Sequence, residues 1–242
     1  MSKVAEPHSL MRIPGFESTD YALLHGAVVW AGRHACTDHP RNVANSWLAD
    51  ALECDAPSLR CGAQMCLSLI DSLPAKGLLP WLAGQTLAFP LDRATARFDA
   101  VHAALAGNDL TAFCAAAKRV LGLGHGLTPS GDDFLGGILF ALKHAPRDAW
   151  RVELPGVLDD LRLAARTATN VISAALLDDM IAGASYRALH ELLAALQRNA
   201  LPQIARTTHA LLRVGASSGA DMLAGVLIAL VTTPCTESEP RQ

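Results

Sequence analysis

The sequence predicts a mainly α-helical protein: a helical domain carrying two S-G-x-D helix starts, preceded by a smaller N-terminal region with room for short strands. Three observations predict it. Ala and Leu supply about a third of the 242 residues, and both are good helix formers. Seven of the 13 prolines lie at or before Pro90, whereas 91–128 and 156–201 contain none; proline breaks helix interiors, so long helices belong to the later part. Finally, a 13-residue stretch beginning at Ser130 recurs at Ser218 with eight identical columns.

The composition bounds the function classes. Charged residues are 18% and hydrophobic ones 51%, against roughly a quarter charged in an average globular protein. Such a chain has ample apolar surface to offset its ordering entropy, which excludes disorder for the bulk. Lys plus Arg number 20 against 23 for Asp plus Glu, a net charge of −3, which argues against a cationic nucleic-acid binder. The most apolar runs, Phe134 to Leu142 and Met222 to Val231, fall well short of the ~20 residues a membrane span needs, so they read as buried core helices. The opening MSKVAEPHSLMRIPGFE has no apolar signal core, so a cytoplasmic location is expected. Six scattered cysteines without a C-x-x-C pair read as reduced thiols, with zinc disfavoured.

Taken in order, residues 1–90 form a region of irregular short elements, in which Tyr21 to Ala31 suits either a short strand or a buried helix turn. Residues 91–232 form the helical domain, and 233–242 a polar, frayed tail. Asn108 or Asp109 caps a helix whose apolar stripe is Leu110, Phe113, Cys114, Ala117, Val120 and Leu121, with Gly122 just past its end. Pro155 to Ile181 is one long helical segment that Gly183 ends. Ser185 to Asn199 is another, with Leu189, Leu192, Leu193 and Leu196 on one face. Pro202 suits the first turn of a helix running to Val214, with Gly215 at its end.

The repeat joins these elements into a unit: helix, glycine stop, loop, S-G-x-D, apolar helix. Gly122 and Gly215 occupy matching places, followed by a long loop (Leu123 to Pro129) in one copy and only Ala216 and Ser217 in the other. Ser130 and Ser218 are expected as N-caps, with Asp133 and Asp221 at the third helical position reaching back to the cap N–H. Capping alone would explain those four residues. It does not explain Gly122, Gly124, Gly126 and Gly131 around the first helix start, the second acid Asp132, or the extra hydroxyls of Thr128 and Ser217. Gly-rich loops that feed helix N-termini favour anions, because bare N–H groups and the helix dipole both attract negative charge. Together with Gly219 of the second copy, these residues are the candidate ligand site, with Asp132 a candidate catalytic residue within it. Neither copy has the G-K-[ST] of a P-loop, and no strand precedes the loop as a dinucleotide fold requires. The adjacent acids Asp132 and Asp133 are candidate holders of Mg²⁺ beside a phosphorylated ligand. Gly136, Gly137, Ala224 and Gly225 let the two helices approach closely, so that both starts converge.

The string Gly122-Leu-Gly-His-Gly-Leu-Thr-Pro-Ser-Gly-Asp-Asp-Phe-Leu-Gly-Gly137 resembles the signature of a bacterial family that includes the AllH-type subunit of oxamate carbamoyltransferase. Arg166-Thr-Ala-Thr-Asn-Val-Ile-Ser173 and Gly215 to Gly225 resemble its C-terminal half, so the likeness covers roughly Leu91 to Leu230. It implies conversion of oxalurate and phosphate to oxamate and carbamoyl phosphate in allantoin-derived purine catabolism, inside a complex with other subunits. The small anionic ligand would be oxamate, oxalurate, phosphate or carbamoyl phosphate. The resemblance makes Arg166 the candidate cation, with Thr167, Asn170 and Ser173 on nearby turns. An alternative role for Arg166 is to pair with an acid such as Asp132 and order the loop. His125 is a candidate general acid or base, beside the plainer reading of an exposed loop histidine. Two other functions stay open: a non-catalytic scaffold or partner subunit, and an anion-responsive binding module. A homo-oligomer is compatible with either. His34, Cys36, Asp38 and His39 form an ordinary loop rather than a metal cluster, and Trp47, Met65 and Trp81 read as core or subunit contact.

Overall fold

The computed structural model describes residues 21–22, 29–30 and 54–234. Tyr21–Ala22 (β1) pairs antiparallel with Val29–Trp30 (β2). Everything else of regular structure among the described residues is helical: α1 (Ala56–Leu67), α2 (Leu79–Leu82), α3 (Thr95–Ala106), α4 (Leu110–Val120), α5 (Ser130–His144), α6 (Leu154–Ala168), α7 (Val171–Ala182), α8 (Arg187–Gln197), α9 (Leu201–Leu211) and α10 (Ser218–Val231), with short 3₁₀ turns between them. The mainly α expectation holds. Helix α1 starts where Asp55 accepts from the Ser58 N–H and Pro57 fills the first turn.

Helices α5 and α10 pack along each other as the centre of the molecule, and nearly every residue of both is buried. Their contact is symmetric. A Cβ on Gly137 would overlap the Met222 carbonyl, and one on Gly225 would overlap the Phe134 carbonyl. Gly137 corresponds to Gly225 in the repeat, and Phe134 to Met222, so the two backbones touch about a pseudo-twofold axis.

The repeat is larger than the motif that announces it. Helices α3 and α8, and α4 and α9, also correspond, giving two units of three helices each: α3–α4–α5 and α8–α9–α10. The offset is 91 residues up to Gly124 and Gly215, and 88 from Ser130 and Ser218 onward. Asn108 and Asn199 occupy the same bend, both at φ 51°, a left-handed conformation that Asn tolerates better than most residues. Core positions match in pairs, such as Phe98 with Leu189, Leu105 with Leu196 and Phe113 with Ile204. This corrects one expectation. Gly215 is the counterpart of Gly124 rather than of Gly122, because each sits where a Cβ would press on the serine that opens the following helix. It also moves the end of α9 back to Leu211, the counterpart of Val120.

The units are flanked differently. Helix α1 packs on α8, α9 and α10, while α6 packs on α4 and α7 on α5. Pro155 to Ile181, expected as one helix, is two. The chain breaks at Thr169 and Asn170, and the Asn170 side chain caps α7 by accepting from Ile172 and Ser173 N–H, both at 3.1 Å. Gly183 ends α7 at φ 90°, as its place in the sequence suggests. At the far end of the central pair, Arg147 is buried over the Trp150 ring and donates to the carbonyls of Leu105 and Ala229, to Asn108 and to Thr232. Burial lowers its pKa to about 10, so it stays charged at neutral pH, held by carbonyls at the C-terminal ends of α3 and α10.

Candidate functional site

The starts of α5 and α10 lie side by side. Thr128 Oγ1 and Ser218 Oγ, one from each, are 2.9 Å apart. The capping-box expectation is overturned here: neither helix has a side-chain cap, and Ser130 and Ser218 are the first helical residues, after Pro129 and Ser217. The carboxylates turn across the axis instead. Asp133 meets the hydroxyls of Ser218 and Thr128, and Asp221 meets those of Ser130 and Ser217. Pro129 has no N–H to offer Asp133, and the glycine-permitted contact of the helices brings hydroxyls of both helix starts to each carboxylate. Gly131 and Gly219 serve the same close packing, since a Cβ on them would strike the carbonyls of Val120 and Leu211.

Asp133 and Asp221 are 5% and 0% exposed, and the Oδ2 of each has no hydrogen-bond partner among the described residues. Burial first, and then the facing Asp221 charge, push the Asp133 carboxyl well above the usual range. Burial raises Asp221 to about 7, against the opposing help of Ser130, Ser217 and the Leu78 N–H. That N–H donates to Asp221 Oδ1 at 2.8 Å, and Lys76 Nζ donates to the Leu212 carbonyl at 2.9 Å. A segment about 140 residues away in sequence thus closes over the second helix start. Nothing local in the sequence signals this contact.

Asp132 does different work from Asp133. Its Oδ1 accepts the Gly122 N–H at 2.7 Å, and its Oδ2 accepts the hydroxyls of Ser173, at 2.7 Å, and Thr169. These bonds tie the Gly-rich loop to the α6–α7 junction. Thr169 was missed in the sequence, although it lies inside the R-T-A-T-N-V-I-S string, because the helix break was not seen. Asn170 reinforces the tie by donating Nδ2 to the Leu127 carbonyl at 2.9 Å. Arg166 is exposed at the last turn of α6. It is not the partner of Asp132, whose oxygens are taken by the loop and α7, so the ion-pair alternative is corrected. Thr167 is exposed too, and its hydroxyl donates to the Ala164 carbonyl.

Between these anchors the loop is open. Gly124 and Gly126 have φ of 112° and 100°, while His125 and Leu127 do not adopt positive φ. The sign of φ alternates as it does in an anion-binding backbone nest, where successive N–H groups turn toward one concavity. Among the described residues, no acceptor takes the N–H of Gly124, His125, Gly126, Leu127 or Thr128. His125 is exposed. Asp132 and Asp133 address separate donor sets, and no group of three His, Cys, Asp or Glu side chains among the described residues suits a metal ion. The adjacent acids therefore do not fit a shared Mg²⁺, and no step below passes through one. His34, Cys36, Asp38, His39 and Trp47 lie outside the described residues. Met65 and Trp81 pack against the core, Trp81 beside Phe98 and Phe134. No helix of the described residues is long and apolar enough to cross a membrane.

Fold and site together define a class: a two-unit helical protein in which a glycine-rich loop of alternating φ stands beside a buried, hydroxyl-lined pair of acids. Residues 120–230 match the model of a family described as oxamate carbamoyltransferase subunit AllH. The matched stretch runs from the end of α4 to the end of α10, so it holds both helix starts, and it supports the family resemblance carried by the glycine-rich string. No curated protein and no solved structure matches the chain.

Proposed function

We propose that the chain is a subunit of an oxamate carbamoyltransferase-like enzyme of the cytoplasm, converting oxalurate and phosphate to oxamate and carbamoyl phosphate in allantoin degradation, with the loop from Gly124 to Thr128 as its anion site. The observation that carries this reading is the run of five N–H groups without an acceptor among the described residues, on a backbone of alternating φ. In the reaction a phosphate oxygen attacks the terminal ureido carbon of oxalurate. The bond from that carbon to the oxamate nitrogen then breaks, and the nitrogen takes a proton. Fixed N–H groups stabilise phosphate and the oxyanion that develops on the ureido oxygen. His125, exposed on the loop, supplies the proton, and Arg166 neutralises ligand charge. Asp132, with both oxygens engaged, is a positioning residue that fixes the loop through Gly122, Thr169 and Ser173. Gly131, Asp133, Ser130, Ser217, Ser218, Gly219 and Asp221 form the layer beneath the bound anion.

A second reading, a non-catalytic scaffold, is favoured by one observation: the buried acids are met by the chain's own hydroxyls. The two readings separate on Gly126→Ala. A Cβ there has open space, but φ 100° is strained for alanine. The substitution should therefore disturb the nest without touching the core. Phosphate and oxamate should raise the melting temperature of the natural chain. Gly126→Ala should weaken that response at least tenfold in ligand concentration and lower carbamoyl phosphate formation from oxalurate by a similar factor in the assembled enzyme. An unchanged response and unchanged activity would leave the scaffold reading standing.

A further inference from the structure

A small anion accounts for the open N–H groups of the loop but not for the apolar side chains beside them. Leu127 is 44% exposed at the loop tip, and Val171 is 83% exposed at the start of α7. The two are neighbours, because Asn170 donates to the Leu127 carbonyl. Leu163, also exposed, lies on the face of α6 that carries Arg166 and Thr167, by its i+3 and i+4 spacing. The loop is held at both ends, by Asp132 on Gly122 and by Thr128 on Ser218, so Leu127 is presented in a fixed place. Fixed, exposed apolar side chains suit the anchor of an interface.

The charges around this face point to the partner's chemistry. Lys118 pairs with Asp160, and Arg162 with Asp159 and Asp178. Arg119 and Arg166, at the ends of the same two helices where they approach the loop, have no carboxylate partner among the described residues. We infer that the face of Leu127, Val171 and Leu163, bordered by Arg119 and Arg166, docks a different subunit of the enzyme whose matching surface is apolar with an acidic rim. Seated there, it covers the nest and excludes water from a transfer that water would otherwise intercept. The inference rests on the reading of the chain as a carbamoyltransferase subunit.

The test uses the full chain mixed with the purified remaining subunits of an oxamate carbamoyltransferase, with assembly measured by sedimentation. Val171→Asp places an acid at the first residue of α7, where the helix dipole tolerates it, so the chain should fold. It should weaken assembly at least tenfold, as should Leu127→Ala to a smaller degree, and Arg166→Glu should do so most at low salt. Phe89→Asp, on a side chain 73% exposed elsewhere, should assemble normally. Equal assembly of Val171→Asp and the natural chain overturns the docking face, as does finding that the face is buried only between two copies of this chain. The melting response of the isolated chain to phosphate and oxamate is independent of this result. Its loss with assembly intact at Val171 would count against the anion site alone.

Discussion

The unit α3–α4–α5 and the unit α8–α9–α10 are two solutions to one folding problem, and only one of them carries the open loop. Both turn at an asparagine of φ 51°, both end their second helix twelve residues later, and both press a glycine against the serine that opens the third helix. The second unit then crosses from Gly215 to Ser218 through two residues, and the first crosses from Gly124 to Ser130 through five. The fold therefore needs only the short crossing. The three extra residues, their unpaired N–H groups and the exposed Leu127 are surplus to packing. The flanking helices differ in the same sense: Asp132 anchors the long loop to α7, where the second unit has Ala220.

The comparison is easiest to break at the axis. Gly137 and Gly225 each face a backbone carbonyl of the other helix, which cannot move aside as a side chain could. Gly137→Ala and Gly225→Ala should each cost about 3 kcal/mol, the upper end of overpacking penalties. The check is the shift in the urea midpoint at constant slope. Equal losses are expected from the symmetry. A free substitution at one site and a costly one at the other would show that the two helices do not meet as equivalents.

The buried acids make a smaller and pH-dependent effect. The folded pKa of Asp221 lies at about 7, above its unfolded value near 4. The folded state therefore binds more protons in between, and this contribution to stability is full below pH 4 and lost as the pH rises toward 7. His190 acts in the opposite direction. Burial, and then the His144 charge, lower it to about 4, so its contribution is full above 6.5 and lost as the pH falls through 4. Asp133, also raised by burial, adds to the slope of Asp221, and His144, also lowered by burial, adds to that of His190, so Asp221 is isolated by difference. Asp221→Asn keeps the shape of the protonated acid and removes its titration, so between pH 4 and 6.5 the variant should gain stability relative to the natural chain as the pH rises, by on the order of 1 kcal/mol per pH unit. Denaturation at pH 4.5, 5.5 and 6.5 measures it, and a variant profile parallel to that of the natural chain would refute the assignment.

Much of this was legible in the residues, and the exceptions share a cause. Helix type, the cap at Asp109, the stop at Gly183 and the close approach through Gly137 and Gly225 follow from local pattern. The capping box is a sound local reading that fails because Pro129 has no N–H to give and because a contact between remote segments brings hydroxyls of both helix starts to Asp133 and Asp221. The Leu78 N–H on Asp221 and the carbonyl cradle of Arg147 have no local signature at all. The wider repeat was within reach. Ala103-Ala104-Leu105 with Asn108 and Leu110 matches Ala194-Ala195-Leu196 with Asn199 and Leu201, but at an offset of 91 residues, whereas the conspicuous S-G-x-D motif imposes 88. The three-residue difference that hid the repeat is the loop itself.

Removing that difference gives the smallest effect on stability and the sharpest on function. Deleting His125, Gly126 and Leu127 leaves Gly124-Thr128-Pro129-Ser130, the length of Gly215-Ala216-Ser217-Ser218. Shortening a surface loop changes its closure entropy slowly, so the deletion should move stability by less than about 1 kcal/mol. The lost bond from Asn170 to the Leu127 carbonyl is exposed, and Asp132 keeps its donors at Gly122 and Ser173. The same deletion removes the alternating backbone that turns the N–H groups together. The melting response to phosphate and oxamate should therefore vanish while the denaturation curve hardly moves. A deletion that unfolds the chain would mean that the long crossing carries packing its twin does without. A deletion that folds and still responds to the anions would place their binding elsewhere on the molecule.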